Sequence, residues 1–206
     1  MKIAVLVYGR LNKCAEHYES IMNSIGKENH IDFFLSSDNS SKELLEVFIS
    51  IYKPISYIND PIKYTCDFGK YPRRPETNID TMTRHFINKS RVFSLLEGHL
   101  ASGIKYDVIL SLRVDLIYER KLCFTHIDTY TIYIPEGYDY TINACNDRLA
   151  YGNIDVMKIY HSIYENTPEL LEKGLSISHP ESLTFNNLIY NYISISRFPF
   201  TCEINR

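Results

Sequence analysis

Eleven residues constrain this chain more than any other stretch: Tyr106-Asp107-Val108-Ile109-Leu110-Ser111-Leu112-Arg113-Val114-Asp115-Leu116. An almost unbroken apolar run of strand length needs cover on both faces, which places it in the middle of a parallel sheet. Its end hands over directly to Arg-x-Asp. Ligands of open α/β sheets bind just beyond the carboxyl ends of such strands. An arginine and an aspartate there supply one cation for phosphate and one hard oxygen ligand for a metal, a pairing suited to a nucleoside diphosphate.

The flanking sequence alternates in the way such a sheet requires. Lys2 to Tyr8 reads as a strand that exits at Gly9-Arg10. Asn12 to Ile25 has helical spacing, and Gly26 stops it. Ile31 to Leu35 is a second strand ending in Ser36 to Asn39. Ser41 then opens a helix carrying Leu44, Leu45, Val47, Phe48 and Ile51, and Pro54 to Ile58 is a shorter strand. Asp60 to Asp80, with Pro61, Pro72, Pro75 and Arg73-Arg74, is a long loop of the kind that often serves binding. Thr81 to Leu100 is helical. Beyond Asp115 the pattern predicts strands at Tyr130 to Pro135, Arg148 to Tyr151 and Ser194 to Phe198. Helices are expected at Ile154 to Tyr164, at Pro168 to Lys173 (capped by Thr167), and at Pro180 to Tyr192. The expectation is a single α/β domain with a mostly parallel sheet flanked by helices.

Composition narrows the function classes. A formal charge of -3 gives no footprint for nucleic acid, and no apolar segment approaches membrane-spanning length. Cys14, Cys66, Cys123, Cys145 and Cys202 are scattered and odd in number, which argues against a disulfide framework or a zinc site. The apolar run at the N-terminus is too short for a signal peptide. These features lead to the expectation of a cytoplasmic protein, in which the sequons at Asn39 and Asn88 carry little weight.

In a parallel sheet the strand-to-helix turns open on one edge, which would gather Gly9, Arg10, Asp38, Arg113 and Asp115. Gly9 admits close backbone approach, Arg10 clamps phosphate, and Asp115 is the metal candidate. On the helix Thr81 to Leu100, the apolar stripe Met82, Phe86, Phe93, Leu96 and Leu100 contains Lys89, which either snorkels or meets an anion. Arg84 and Arg91 fall on a face expected to be solvated. Downstream, Asp147 is a candidate to hold or deprotonate a hydroxyl, with a structural pair to Arg148 or a turn cap as the alternative. His179-Pro180-Glu181 starts a helix, where Glu181 complements the helix dipole and His179 is a possible metal or phosphate contact.

Arg113-Val114-Asp115-Leu116, Asn146-Asp147-Arg148-Leu149-Ala150-Tyr151-Gly152, Met157 with Tyr160, His179-Pro180-Glu181 and the exit Tyr8-Gly9-Arg10 occur in this order. The set resembles a GT-A-like glycosyltransferase group of algae and large DNA viruses, including the N-terminal domains of enzymes that build capsid glycans. The resemblance spans most of the chain. It implies a UDP-sugar donor, a glycan or glycoprotein acceptor, a divalent metal (Mn²⁺ or Mg²⁺), and location in a host cytoplasm. It further implies a nucleotide-binding half at 1–115, an acceptor-side half at 116–206, and further domains in the same polypeptide. Gly9, Arg10, Asp38, Lys89 and Arg113 would hold the donor, Asp115 and His179 the metal. Asp147 would face the acceptor, as base if the reaction inverts or positioning substrate if it retains. One departure stands out: Arg113 occupies the first acidic place of a DXD motif. A non-catalytic nucleotide-sugar or carbohydrate-binding module on the same fold is the alternative, whereas the lack of G-x-G-x-x-G counts against a dinucleotide enzyme.

Overall fold

The central run does lie between two layers. A computed structural model describes residues 1–204 other than 39, 72, 73, 76, 138, 140, 142 and 176–178; for 203 and 204 only the backbone is described. Asn39, Pro72 and Arg73 therefore lie outside the described residues. The strands are β1 (Lys2–Tyr8), β2 (His30–Ser36), β3 (Ser56–Ile58), β4 (Val108–Leu112), β5 (Leu116–Tyr118), β6 (Thr131–Pro135), β7 (Leu149–Gly152), β8 (Ser194–Phe198) and β9 (Cys202–Ile204). The helices are α1 (Cys14–Ile25), α2 (Lys42–Tyr52), α3 (Ile79–Leu100), α4 (Ile154–His161), α5 (Ile163–Glu172) and α6 (Pro180–Tyr190).

Seven strands form one sheet in the order β3-β2-β1-β4-β7-β6-β8. β1, β2, β3 and β4 are mutually parallel, β7 runs antiparallel to both its neighbours, and β6 pairs in parallel with β8. The fold is thus α/β with a mixed, mostly parallel sheet. β1 and β4 are buried on both faces because their side chains alternate into two separate cores. Ile3, Val5, Val7, Val108, Leu110 and Leu112 face α1 and α2, while Ala4, Leu6, Tyr8 and Ile109 face α3 and α4. Ser111 is the polar residue on that second face, and its Oγ meets His161 Nε2 at 3.2 Å.

Several boundaries differ from the periodicity for physical reasons. The helix expected from Ile154 to Tyr164 breaks at Ser162, and α5 starts at Ile163, so Pro168 sits inside α5 instead of opening a helix. Thr167 is therefore not a cap: its hydroxyl donates to Ile163 O, on the turn that Pro168 leaves short of a backbone donor. α6 ends at Tyr190, and Tyr192 adopts the left-handed region at φ 59°. β5 and β9 form a two-stranded sheet, which three-residue strands left unannounced in the sequence. The loop 60–78 is pinned at Phe68, which is buried with Met82, Phe86, Leu170 and Leu183, while Tyr164 Oη accepts from the backbone of Thr65 and Cys66.

Candidate active site

Topology decides which residues meet. β1, β2 and β4 end on one edge, and the antiparallel β7 begins there, with Leu149 opposite Leu112. The turn before β7, carrying Asp147, is thereby delivered to the exit of β4. β6 also ends on this edge, and α6, which returns to a strand parallel with it, starts there with His179. The result is a cleft of about 850 Å³ lined by Gly9, Arg10, Asp38, Arg113, Asp115, Asp147 and His179. Seven of the eight residues singled out in the sequence thus share one cavity.

The first wall is a hydrogen-bonded seam between strand exits and α3. Gly9, at φ +91°, donates its N–H to Ser36 O at 2.9 Å and ties the β1 and β2 exits together. Ser36 Oγ donates to Asn88 Oδ1 at 2.8 Å, and Asn88 Nδ2 donates to Asp38 Oδ1 at 2.8 Å. Arg84 spans Asp38 and Asp80 with two bonds of 2.8 Å. Arg84, its side chain 43% exposed, is solvated as expected and also forms a wall of the cleft, and Asp38 is committed to it. Arg91 donates to Asp60 O and Pro61 O on an exposed surface.

The opposite wall centres on Arg113. Its guanidinium grips Asp115 in a fork, Nε to Oδ1 at 2.9 Å and Nη2 to Oδ2 at 2.7 Å, while Nη1 lies 3.5 Å from Asp147 Oδ2. Tyr118 Oη donates to Arg113 O at 2.7 Å and fixes the backbone of the motif. Asp147 has a second neighbour, His85 Nε2 at 3.6 Å. The fully buried Asn146 holds this turn: its side-chain amide donates to Pro135 O and Gly137 O at 2.9 and 3.0 Å. The pairing of Asp147 is with Arg113 and His85, while Arg148 Nη1 donates to Cys202 O at 2.6 Å. Burial works against the Asp147 carboxylate, but the cations facing it, Arg113 and Lys89 among them, keep its pKa below the usual range. Glu181 moves the other way, raised by burial and by the charge of Asp147, and it pairs with His179 Nδ1.

Lys89 is the exception among the eight. It neither snorkels nor reaches the cleft; it is fully buried behind the wall, with Nζ 3.3 Å from the centre of the Tyr160 ring. The apolar stripe that carries it packs into the core, so the amine lies beneath the cleft, 5.9 Å from the centre of the Tyr8 ring and within the field of Asp147 and Glu181, without lining it. Sequence reasoning also missed His85, Asn88 and Asp80, which line the cleft with Thr81 and Arg84. The signal was available: Thr81, Arg84, His85 and Asn88 repeat at three- and four-residue spacing, a polar stripe beside the apolar one.

The carboxylates lining the cleft (Asp38, Asp80, Asp115, Asp147 and Glu181) outnumber its guanidiniums (Arg10, Arg84 and Arg113) among the described residues. Asp38 and Asp80 are held by Arg84, and Asp115 by Arg113, so a cation would have to displace an arginine to reach them. No group of three His, Cys, Asp or Glu among the described residues is placed to hold a metal by itself. Substrate oxygens and water would have to complete the shell, as is usual for Mg²⁺ and its like.

No family model and no curated protein matches the chain. Among solved structures, the apo-form glycosyltransferase GlyE of Streptococcus pneumoniae TIGR4 matches 95% of this chain with a TM-score of 0.56 and 12% identity. The fold is glycosyltransferase-like. The chain spans 45% of the length of GlyE, and at that identity the likeness is one of architecture. No described helix is long and apolar enough to cross a membrane.

Proposed function

We propose that this protein transfers a sugar from a nucleotide-sugar donor, with UDP-sugars the first class to test, to a hydroxyl of a glycan acceptor. The observation that carries the reading is the convergence of the β1, β2 and β4 exits with the β7 turn on one charged cleft of a glycosyltransferase-like fold. Gly9 lets the protein backbone approach the donor closely, and Arg10 on the rim meets phosphate. Arg113 meets charge as it develops on the leaving diphosphate, where an oriented cation lowers the barrier most. Asp115, released from Arg113, would hold Mn²⁺ or Mg²⁺, which when bound neutralises the diphosphate. His179 is engaged by Glu181 and contributes to that rim through the pair. Asp147 lies on the acceptor side. The setting in capsid-glycan assembly rests on the sequence resemblance alone.

The test is titration calorimetry with UDP-glucose, UDP-galactose, UDP-N-acetylglucosamine and GDP-mannose, with and without Mn²⁺. Wild type is expected to bind at least one donor more tightly with Mn²⁺, and Asp115→Asn to lose that gain. If no donor binds, the reading is wrong; binding indifferent to Mn²⁺ and to Asp115 removes only the metal. Release of free UDP from the bound donor separates a transferase from a binding module.

A further inference from the structure

His85 lies on α3 one turn before Lys89 and lines the cleft, with its side chain 20% exposed. That exposure leaves the ring reachable from the cavity while its surroundings fix it. Tyr8 meets it edge-on, with ring centroids 5.2 Å apart at 74°. Asp147 Oδ2 stands 3.6 Å from Nε2. The charged and titratable groups around it come from every neighbouring element: Tyr8 of β1, Arg113 beyond β4, Asp147 before β7, His161 of α4, and Lys89 of its own helix.

We infer that His85, oriented by Asp147, is the general base of the transfer, and that the reaction inverts the configuration at the anomeric carbon. The inference rests on the nucleotide-sugar reading above and adds a residue and a stereochemical outcome to it. Asp147 stands between Arg113 at 3.5 Å and His85 at 3.6 Å, a place from which it orients the ring, and the group it orients toward the cleft is His85. Burial, with Lys89 and Arg113, pushes its pKa down to about 4 against the pull of Asp147, so the imidazole is neutral and keeps a lone pair. A neutral ring that carries its hydrogen on Nε2, the nitrogen 3.6 Å from Asp147, would accept a proton on Nδ1. A donor diphosphate that engages Arg113 draws it from Asp147, whose charge then acts on His85 and makes the ring more basic.

The step balances without a further reagent. The acceptor O–H proton goes to His85, and the acceptor oxygen forms the bond to the anomeric carbon. The bond from that carbon to the phosphate oxygen breaks, and its electron pair leaves on the nucleoside diphosphate. Asp147 stabilises the resulting imidazolium and is a positioning residue.

The test uses the UDP-sugar selected by calorimetry, with water as acceptor. His85→Ala and His85→Gln are expected to bind the donor within about twofold of wild type yet hydrolyse it about 100- to 10,000-fold more slowly. Added imidazole should restore part of the rate in His85→Ala. Asp147→Asn should lower kcat with little change in donor KM. Proton NMR at early times should show the sugar released with inverted configuration. Hydrolysis by His85→Ala within a few fold of wild type, or a sugar released with retained configuration, overturns the inference and leaves the donor reading standing. Failure of wild type to bind any donor overturns both.

Discussion

Lys89 is a fully buried amine without a hydrogen-bond partner among the described residues. Burial pushes its pKa down to about 7, although Asp147, Cys145 and Glu181 pull it upward. The unfolded chain, with lysine near its ordinary value, binds more protons than the native state above pH 7. Stability therefore rises with pH from about 7, by on the order of 1 kcal/mol per unit. Above about pH 8.5 the buried thiols of Cys14, Cys145 and Cys202, all pushed up by burial, act in the opposite direction. Urea unfolding at pH 7.0 and 8.5 should show this gain in wild type and a flatter response in Lys89→Met, which should also be the more stable protein at pH 7. Gly9 makes a different kind of claim. A Cβ there would meet nothing within 4 Å, so any cost of Gly9→Ala lies in the backbone at φ +91°. We expect a loss of about 1–2 kcal/mol, read as a melting temperature lower by a few degrees.

At the scale of elements, α3 carries both the structural and the chemical load of the cleft. Asn78 caps it by accepting from Thr81 N at 3.0 Å, and Asn153 caps α4 by accepting from Val156 N at 2.9 Å. Either cap replaced by alanine should cost about 0.5–2 kcal/mol in thermal or chemical unfolding. Only Asn78 lines the cleft, so only Asn78→Ala should also weaken donor binding by calorimetry. Equal donor affinity in the two variants would mean that the start of α3 does not border the bound ligand. The elements themselves were largely legible. β1, β2 and β4 announced themselves by continuous apolar runs, and α1, α2 and α3 by their periodicity. α5 was not, because Pro168 reads locally as a helix start, and the turn before it is held by burial of Ile163, Leu170 and Leu171 and by the Thr167 bond to Ile163 O.

For the molecule as a whole, a ligand that binds only the folded state must stabilise it. A donor at 100 times its dissociation constant should add about 2.7 kcal/mol, or roughly 5–10 °C in melting temperature. That shift should shrink at higher salt, because Arg10 and Arg84 line the cleft near the surface, where salt screens charge. A melting temperature indifferent to every nucleotide sugar would argue against the cleft as a donor site.

Sequence alone determined that the chain is α/β, that Tyr106 to Leu116 contains a doubly covered strand, and that Arg113 and Asp115 stand at its exit. Those properties follow from local apolar pattern, which a strand or helix displays within a few residues. Tertiary structure decided the partners. The antiparallel β7 brings Asp147 against Arg113 and His85, the turn of α3 sets Arg84 on Asp38, and the helical layer hides Lys89 behind Tyr160. Pairings across 34 to 62 residues depend on strand order and on which face of a helix meets the sheet, and no local spacing encodes either.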